Sequence, residues 1–593
     1  MKSRSEMNPE YMWDFTPIFA SDEAWEKAYA EVEKQIPEIS ALAGTLMKSA
    51  ESLKAASDKI YSVMEKAELV YLYANLHKSS DNGDPKYQTM EARAMSLFVN
   101  LSMATSFINP EILSAPESTL EEYMKNPVLA EYKHILDDIN RVRPHTLDEK
   151  SEMMLAMLSE PMRASENAFE MFESVDMSFP DTTDESGNLS PLTHGTYRVF
   201  LESQDQNVRR EAYTKYFGEF KKYINTLSAT YGGSVKGDTF SARVRNYPGA
   251  CEAALFGSNV PVSVYDSLTE AVHEGLPTMK KYIDVRKKML GLDEIHMYDL
   301  YCPMIKSVDM SVTYEEAKEL VKKACAPLGK EYISLLDRAF SEHWVDVYEN
   351  KGKTTGAFSC GVYGAHPYVL LNYSGTLDDA FTLAHELGHS MHSFFSSREN
   401  SYANHDYHIM VAEVASTVNE VLLVKYLLSV ETDKDRKAAL LNHLLESFRT
   451  TVFRQTLFAE FERKAHEMDA SGIPLTAESL CKVYRDLNLL YYDGAVVDEL
   501  HDIEWARIPH FYNAFYVYQY ATGYCSAVKI ATDILKTGDA SNYLKFLSTG
   551  GSDYPINELK IAGVDLTNPD TVKSALKVFD DTLEEFKALC GLN

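Results

Sequence analysis

The chain has 593 residues, 45% hydrophobic and 25% charged, the composition of a folded globular protein. Lys and Arg number 58 against 88 Asp and Glu, a net charge of −30 that speaks against a general binder of phosphate backbones. The plain consequence of that charge is solubility, and the sharper one is a field that draws in cationic ligands.

The N-terminus, Met1-Lys2-Ser3-Arg4-Ser5-Glu6, leads into no apolar run, so no secretory signal is visible. The best membrane-span candidate, Val421 to Leu428, is broken by Lys425 and far too short. Seven scattered cysteines with no C-x-x-C pair argue against a disulfide framework or a thiolate metal site. A cytoplasmic protein with no membrane or nucleic-acid partner is expected.

Helical periodicity dominates from the start. Trp25, Tyr29, Val32 and Ile36 fall on one stripe, with Ser21 placed as N-cap and Asp22 and Glu23 in the first turn. Phe179 to Gly195 is rich in turn residues and reads as a loop or short hairpin closing an N-terminal helical region, 1–185, ahead of a second region, 186–593. A second irregular stretch, Gly352 to Gly375, contains Tyr368-Val369-Leu370-Leu371-Asn372-Tyr373, a strand by composition. It is either a core strand of a small sheet or an edge strand lining a cleft.

The next segment carries chemistry. His385-Glu386-Leu387-Gly388-His389 matches H-E-x-x-H, for which chance predicts about 0.04 occurrences in this composition. The other His-Glu pairs, His273-Glu274 and His466-Glu467, have Pro277 and Ala470 at the fifth position. Thr376-Leu377-Asp378-Asp379 is a capping signal for a helix on which His385 and His389 are neighbours on one face. Two imidazoles so placed can converge on one Zn²⁺, and Glu386, about 100° round the helix, can address water rather than the metal.

A catalytic zinc needs a third protein ligand. Glu413 lies in a helical run among Ala412, Ala415 and Ser416, small residues that let helices approach closely; it is the expected third ligand. Glu420, two turns on, is either a surface residue or the partner that orients a ligand histidine. His392 reads as a polar residue behind the ligands or lining the cleft. In the late block Arg507-Ile508-Pro509-His510-Phe511-Tyr512, the tyrosines Tyr512, Tyr516 and Tyr520 form an i, i+4, i+8 series. Such stripes are more often core, yet His510 and one or two of these tyrosines are candidate donors to an oxyanion.

These blocks resemble oligoendopeptidase F of the M3, thimet oligopeptidase-like, zinc peptidases. The resemblance runs from Trp13-Asp14-Phe15-Thr16-Pro17 through the His385 block and Ala412-Glu413-Val414-Ala415-Ser416-Thr417 to Gly550-Gly551-Ser552-Asp553-Tyr554-Pro555. It implies a mostly α, two-lobed helical shell around a deep channel, with a small sheet near the metal. It further implies one Zn²⁺ per chain on His385, His389 and Glu413, Glu386 as general base, and oxyanion donors at His510 and Tyr512 or Tyr520. Tyr368, Tyr373, His392 and Tyr516 are expected to contact short peptide substrates, the strand pairing with the peptide backbone. The chain would act as a monomer or small homo-oligomer. The rival readings are a helical zinc carboxypeptidase or aminopeptidase, and a non-catalytic peptide-binding protein. If acidic residues line the channel, cationic peptides are favoured at low salt.

Overall fold

The computed structural model describes residues 1–305 and 310–592. Contacts group the chain into two compact units of three stretches each. The first comprises Met1–Pro144, Met310–Leu427 and Ile530–Val564; the second comprises His145–Asp309, Leu428–Lys529 and Asp565–Asn593. The boundary expected near residue 185 lies inside the second unit. Helices carry most of both, and the strands among the described residues are two or three residues long.

In the first unit, α1 (Asp22–Ser40) begins where expected: the Ser21 hydroxyl accepts the Ala24 N–H at 3.3 Å. Its stripe buries Trp25, Val32 and Ile39 against α2 (Ala50–Ser80) and α3 (Pro85–Thr105). The Trp25 indole N–H donates to Val70 O at 2.7 Å, so this fully buried ring leaves no polar atom unpaired.

A three-stranded sheet joins this core. Strands β1 (Val345–Asp346), β2 (Phe358–Cys360) and β3 (Tyr368–Leu370) run in the order β1-β3-β2, with β3 parallel to β1 and antiparallel to β2. The expectation that the Tyr368–Tyr373 strand forms a cleft edge is therefore corrected. Val369 N–H donates to Trp344 O at 2.7 Å and Leu371 N–H to Asp346 O at 2.8 Å, while β2 occupies the other side. Its unbroken apolar run is the pattern of a strand covered on both faces. Tyr368 and Tyr373 are buried, and their hydroxyls donate to Asp14 O and Val312 O, each at 2.8 Å. They brace the fold, and neither lines the cavity described below. The edge strands are β1 and β2, of which β2 lines that cavity.

Two helices complete the part of this unit that matters for chemistry, α4 (Leu377–Glu399) and α5 (Ile409–Val430). The second unit has its own helical core. The turn-rich stretch after Phe179 forms a small antiparallel ribbon, with Thr182 opposite Ser190. Deep in this unit Arg209 pairs with Asp299 at 2.7 Å, both almost completely buried. No helix among the described residues is long and apolar enough to cross a membrane.

Candidate active site

The first turn of α4 is built by a reciprocal cap. Thr376 Oγ1 accepts the Asp379 N–H at 3.1 Å, and the Asp379 carboxylate accepts the Thr376 N–H at 2.8 Å. The helix so started puts His385 and His389 on one face, one turn apart. The opposite face buries Leu383, Ala384, Leu387 and Met391.

Helix α5 crosses α4 with almost no separation. A Cβ placed on Gly388 would sit 2.5 Å from Ser416 Cα and 2.7 Å from Ala415 O, so only glycine fits there. The small residues around Glu413 have the effect their size suggests. Asn419 ties the pair further: its buried amide donates to Ala384 O at 3.0 Å and accepts from the Tyr332 hydroxyl at 2.9 Å. That bond lies one residue from both His385 and Glu420, so it sets the register between them.

Glu420 meets His385 at Nδ1. A carboxylate can only accept, so Nδ1 carries a hydrogen, and Nε2 is the nitrogen left to ligate once an incoming metal displaces its proton. That Nε2 lies 3.2 Å from His389 Nε2 and 3.4 Å from Glu413 Oε2, and His389 Nε2 is 3.7 Å from the same oxygen. Donors held tetrahedrally at about 2.05 Å from zinc stand about 3.3 Å apart, so the three atoms fit one such ion. The Glu413 side chain is 45% exposed, so convergence on the histidines, not the cost of a buried charge, marks it as a ligand.

Glu386 is buried beside this group, and its carboxylate accepts the backbone N–H of Ser359 in β2. Burial, reinforced by the charges of Glu413 and Glu420, pushes its carboxyl up to about 7 against the opposing pull of His385. Both forms are thus within reach near neutrality, which suits a group that takes up and returns a proton. Burial disfavours charge on His385, but the Glu420 bond and surrounding carboxylates outweigh it and hold the ring up to about 9. His389, without such a partner, is pushed down to about 3 by burial and by His385.

The sequence model of Peptidase family M3 matches residues 199–578, and that of Oligopeptidase F matches residues 111–179. The chain belongs to peptidase family M3. Oligopeptidase PepF of Bacillus subtilis (strain 168) is 44% identical over 593 residues, 99% of this chain and 88% of that one. The solved structure of oligoendopeptidase-F from Enterococcus faecium is 36% identical, with a TM-score of 0.73 over 96% of this chain and 100% of that one. A Chlamydophila abortus protein aligns at a TM-score of 0.95, with 34% identity over 99% of this chain and 100% of that one. This chain is thus a mostly helical M3 peptidase of the oligoendopeptidase F type.

In this M3 peptidase the His385–His389–Glu413 group opens into a cavity of about 940 Å³ within the first unit. Strand β2 contributes Phe358 and Ser359 to its wall, and Ala357 just before it adds to the same side. His392 does not reach it. The ring is 1% exposed, stacked 3.6 Å from Tyr407 and pushed down to about 3 by burial, so its expected contact with substrate is corrected: it backs Tyr407, which lines the cavity.

Tyr402, Ala403, His405, Asp406 and Tyr407 also line the cavity, a role the sequence marks only by the density of His and Tyr between two helices. Gly550 and Gly551 hold this segment in place. Gly551 N–H donates to Asn404 O at 2.9 Å, and a Cβ on Gly551 would collide with Asp406 O. Opposite, Glu68 accepts from Tyr402 and is raised above the ordinary carboxyl value by burial.

The late block lies in the second unit, and the single helical stripe expected for its tyrosines is not formed. Pro509–Tyr512 is a short 3₁₀ turn, Phe515 adopts φ 58°, and the next helix, α6 (Tyr518–Thr537), begins only afterwards. A non-glycine residue in that region reverses the chain and destroys the four-residue spacing. The Tyr520 hydroxyl lies 3.3 Å from His510 Nε2, and the Tyr516 ring is 5.5 Å from that of Tyr520. Tyr512 turns away, its hydroxyl 2.8 Å from Thr230 Oγ1 and its ring stacked on Phe169.

Proposed function

We propose that this peptidase is a zinc-dependent endopeptidase that cuts internal bonds of short, unfolded oligopeptides. The observation that carries the reading is the convergence of His385, His389 and Glu413 with the buried carboxyl of Glu386 beside them, at a cavity of about 940 Å³. The printed names of the relatives, oligopeptidase and oligoendopeptidase, support the substrate class.

When bound by His385, His389 and Glu413, one zinc per chain would supply Lewis-acid chemistry, polarising a carbonyl and acidifying water. Glu386 accepts a proton from the attacking water and hands it to the leaving amine. The outer strand β2 orients the peptide backbone by strand addition, which gives affinity with little sequence preference. Glu420 holds His385 in its ligating tautomer. His510 and Tyr520 serve as oxyanion donors and Tyr516 as a substrate contact. Those roles rest on the family resemblance, supported by the His510–Tyr520 contact within their own unit. Tyr512 is set aside because its hydroxyl is engaged by Thr230.

In this reading 1–185 is an oligopeptidase F-type region and 186–593 the catalytic region, supported by family matches that stop at 179 and resume at 199. The protein works in the cytoplasm as a monomer or small homo-oligomer.

The test is Glu386→Gln assayed on an internally quenched peptide blocked at both ends. Zinc stoichiometry should stay at one per chain while turnover falls by at least about 10²–10⁴-fold. A wild-type rate would remove Glu386 from the chemistry. Cleavage only of peptides with a free terminus would make the enzyme an exopeptidase.

A further inference from the structure

A second cavity, of about 680 Å³, lies in the first unit beside the one that holds the metal ligands. Leu46, Leu53, Ile60, Ile112, Leu136 and Ile139 line it on one side, and polar residues, among them Ser102, Asn109, His134 and Asp138, line the rest. Four of these, Leu46, Leu53, Ile112 and Leu136, are otherwise among the most buried side chains of a local core, at 1–2% exposure. These four back the wall, and the apolar surface open to a ligand comes from the half-buried Tyr61, Met64, Ile108, Ile135 and Ile139 in front of them.

The two cavities share a threshold. Tyr61, Met64, Asp406 and Tyr407 line both. The threshold is held firmly on both sides. Tyr61 stacks on Tyr132 at 5.6 Å, with the Tyr132 hydroxyl donating to Asp58 at 2.7 Å. Tyr407 stacks on His392 and its hydroxyl is 2.8 Å from Ser393 Oγ. No Lys or Arg is among the residues that line either cavity. A ligand at this threshold therefore meets two tyrosine rings and the Asp406 carboxylate, then a wall of mixed aliphatic and polar side chains with no Lys or Arg to match an acidic group.

We propose that the second cavity is a remote subsite of the peptidase, which takes one apolar side chain, of the size of Leu or Phe, from the bound peptide several residues away from the scissile bond. The occupant is the substrate itself, because four residues that line the cavity also wall the metal-side cavity. The inference rests on the peptidase reading and adds to it: backbone pairing at β2 would tolerate any sequence, and this pocket would impose a preference at one distant position. Binding energy gained there acts at a distance from the reacting bond, so it raises kcat/KM for long peptides and leaves short ones unaffected.

The experiment uses two sets of internally quenched peptides with both ends blocked and the same sequence around the cut. One set is short. The other is extended on either side and carries a single Leu, walked one position at a time through a Ser background. With the wild-type enzyme, Leu at one register should raise kcat/KM about tenfold to a hundredfold over Ser. Ser57 lies on α2 between Leu53 and Ile60 and lines the second cavity, so Ser57→Trp fills it. That variant should lose the gain for the Leu peptide while cutting the short peptide as before. A fall on both sets would mean a damaged fold, and Ser106→Trp, at another part of the same wall, then replaces it. The subsite is overturned if no register gives more than a twofold gain, or if both tryptophan variants keep the gain. Absence of any cleavage of the short peptide by the wild-type enzyme would instead sink the peptidase reading.

Discussion

Glu420 meets His385 at Nδ1, on the side of the ring away from Glu413. This one contact decides which nitrogen ligates. Removing it leaves the ring free to rotate and to choose the other tautomer. Glu420→Ala should weaken metal binding by about 10–100-fold, measured by competition with a chelator. Turnover should recover largely at saturating zinc, because Glu420 does not touch the reacting atoms. Unchanged affinity would make it a bystander.

Gly388 has no room for a single methyl group against Ser416 and Ala415. Gly388→Ala gains helix propensity, worth roughly 1 kcal/mol, but must push α4 and α5 apart. The steric term should win, with a net loss of about 1–3 kcal/mol and a marked drop in zinc stoichiometry. Thermal unfolding with metal analysis reads both. A more stable variant with full zinc content would show that the helices can slide apart freely.

Glu558 provides a test of stability against pH. Its side chain is almost wholly buried, Oε1 has no hydrogen-bond partner, and burial, with the charge of Asp553 adding, pushes its carboxyl up to about 9. The folded value lies above the ordinary one, so its contribution to stability is complete below about pH 4.5 and is lost as the pH rises toward 9. The slope is at most about 1.4 kcal/mol per pH unit. Glu558→Gln should therefore flatten the pH dependence of Tm between 5 and 8 and stabilise the protein at the upper end. Parallel curves for variant and wild type would contradict this.

The metal-side cavity carries Glu68, Asp406, Glu413 and Glu386 and is lined by neither Lys nor Arg. Peptides rich in Lys and Arg should be cut faster than neutral ones at low ionic strength, with an advantage of several-fold that fades as salt shortens the screening length below about 10 Å. Rates for the two peptide classes that respond identically to salt would return the net charge of −30 to a matter of solubility.

What could be read from the sequence was what depends on neighbours along the chain. The cap at Thr376, the one-turn spacing of His385 and His389, and the small residues around Glu413 are local patterns, and each has its structural counterpart. What escaped depends on distant partners. Strand β3 was readable as a strand, but its central place is set by β1 and β2, which pair with it from elsewhere in the chain. His392 repeats the polarity of a cleft residue, and only the packing of Tyr407 over it hides it. The break at Phe515 uses a backbone angle that its side chain does not advertise. The segment 402–407 lines the cavity because Gly550 and Gly551 press against it, a contact with no trace in its own sequence.

The bond from Asn419 to Ala384 and the contact at Gly388 have a consequence for the life of the enzyme. Both hold the ligand-bearing helices together without drawing on the metal. The ligand geometry is thus a property of the folded chain, unlike small metal domains whose folding is the binding of the ion itself. Loss of zinc should then be a reversible idling rather than a collapse. In a compartment where free metal rises and falls, such a protein persists intact through scarcity and resumes work when the ion returns.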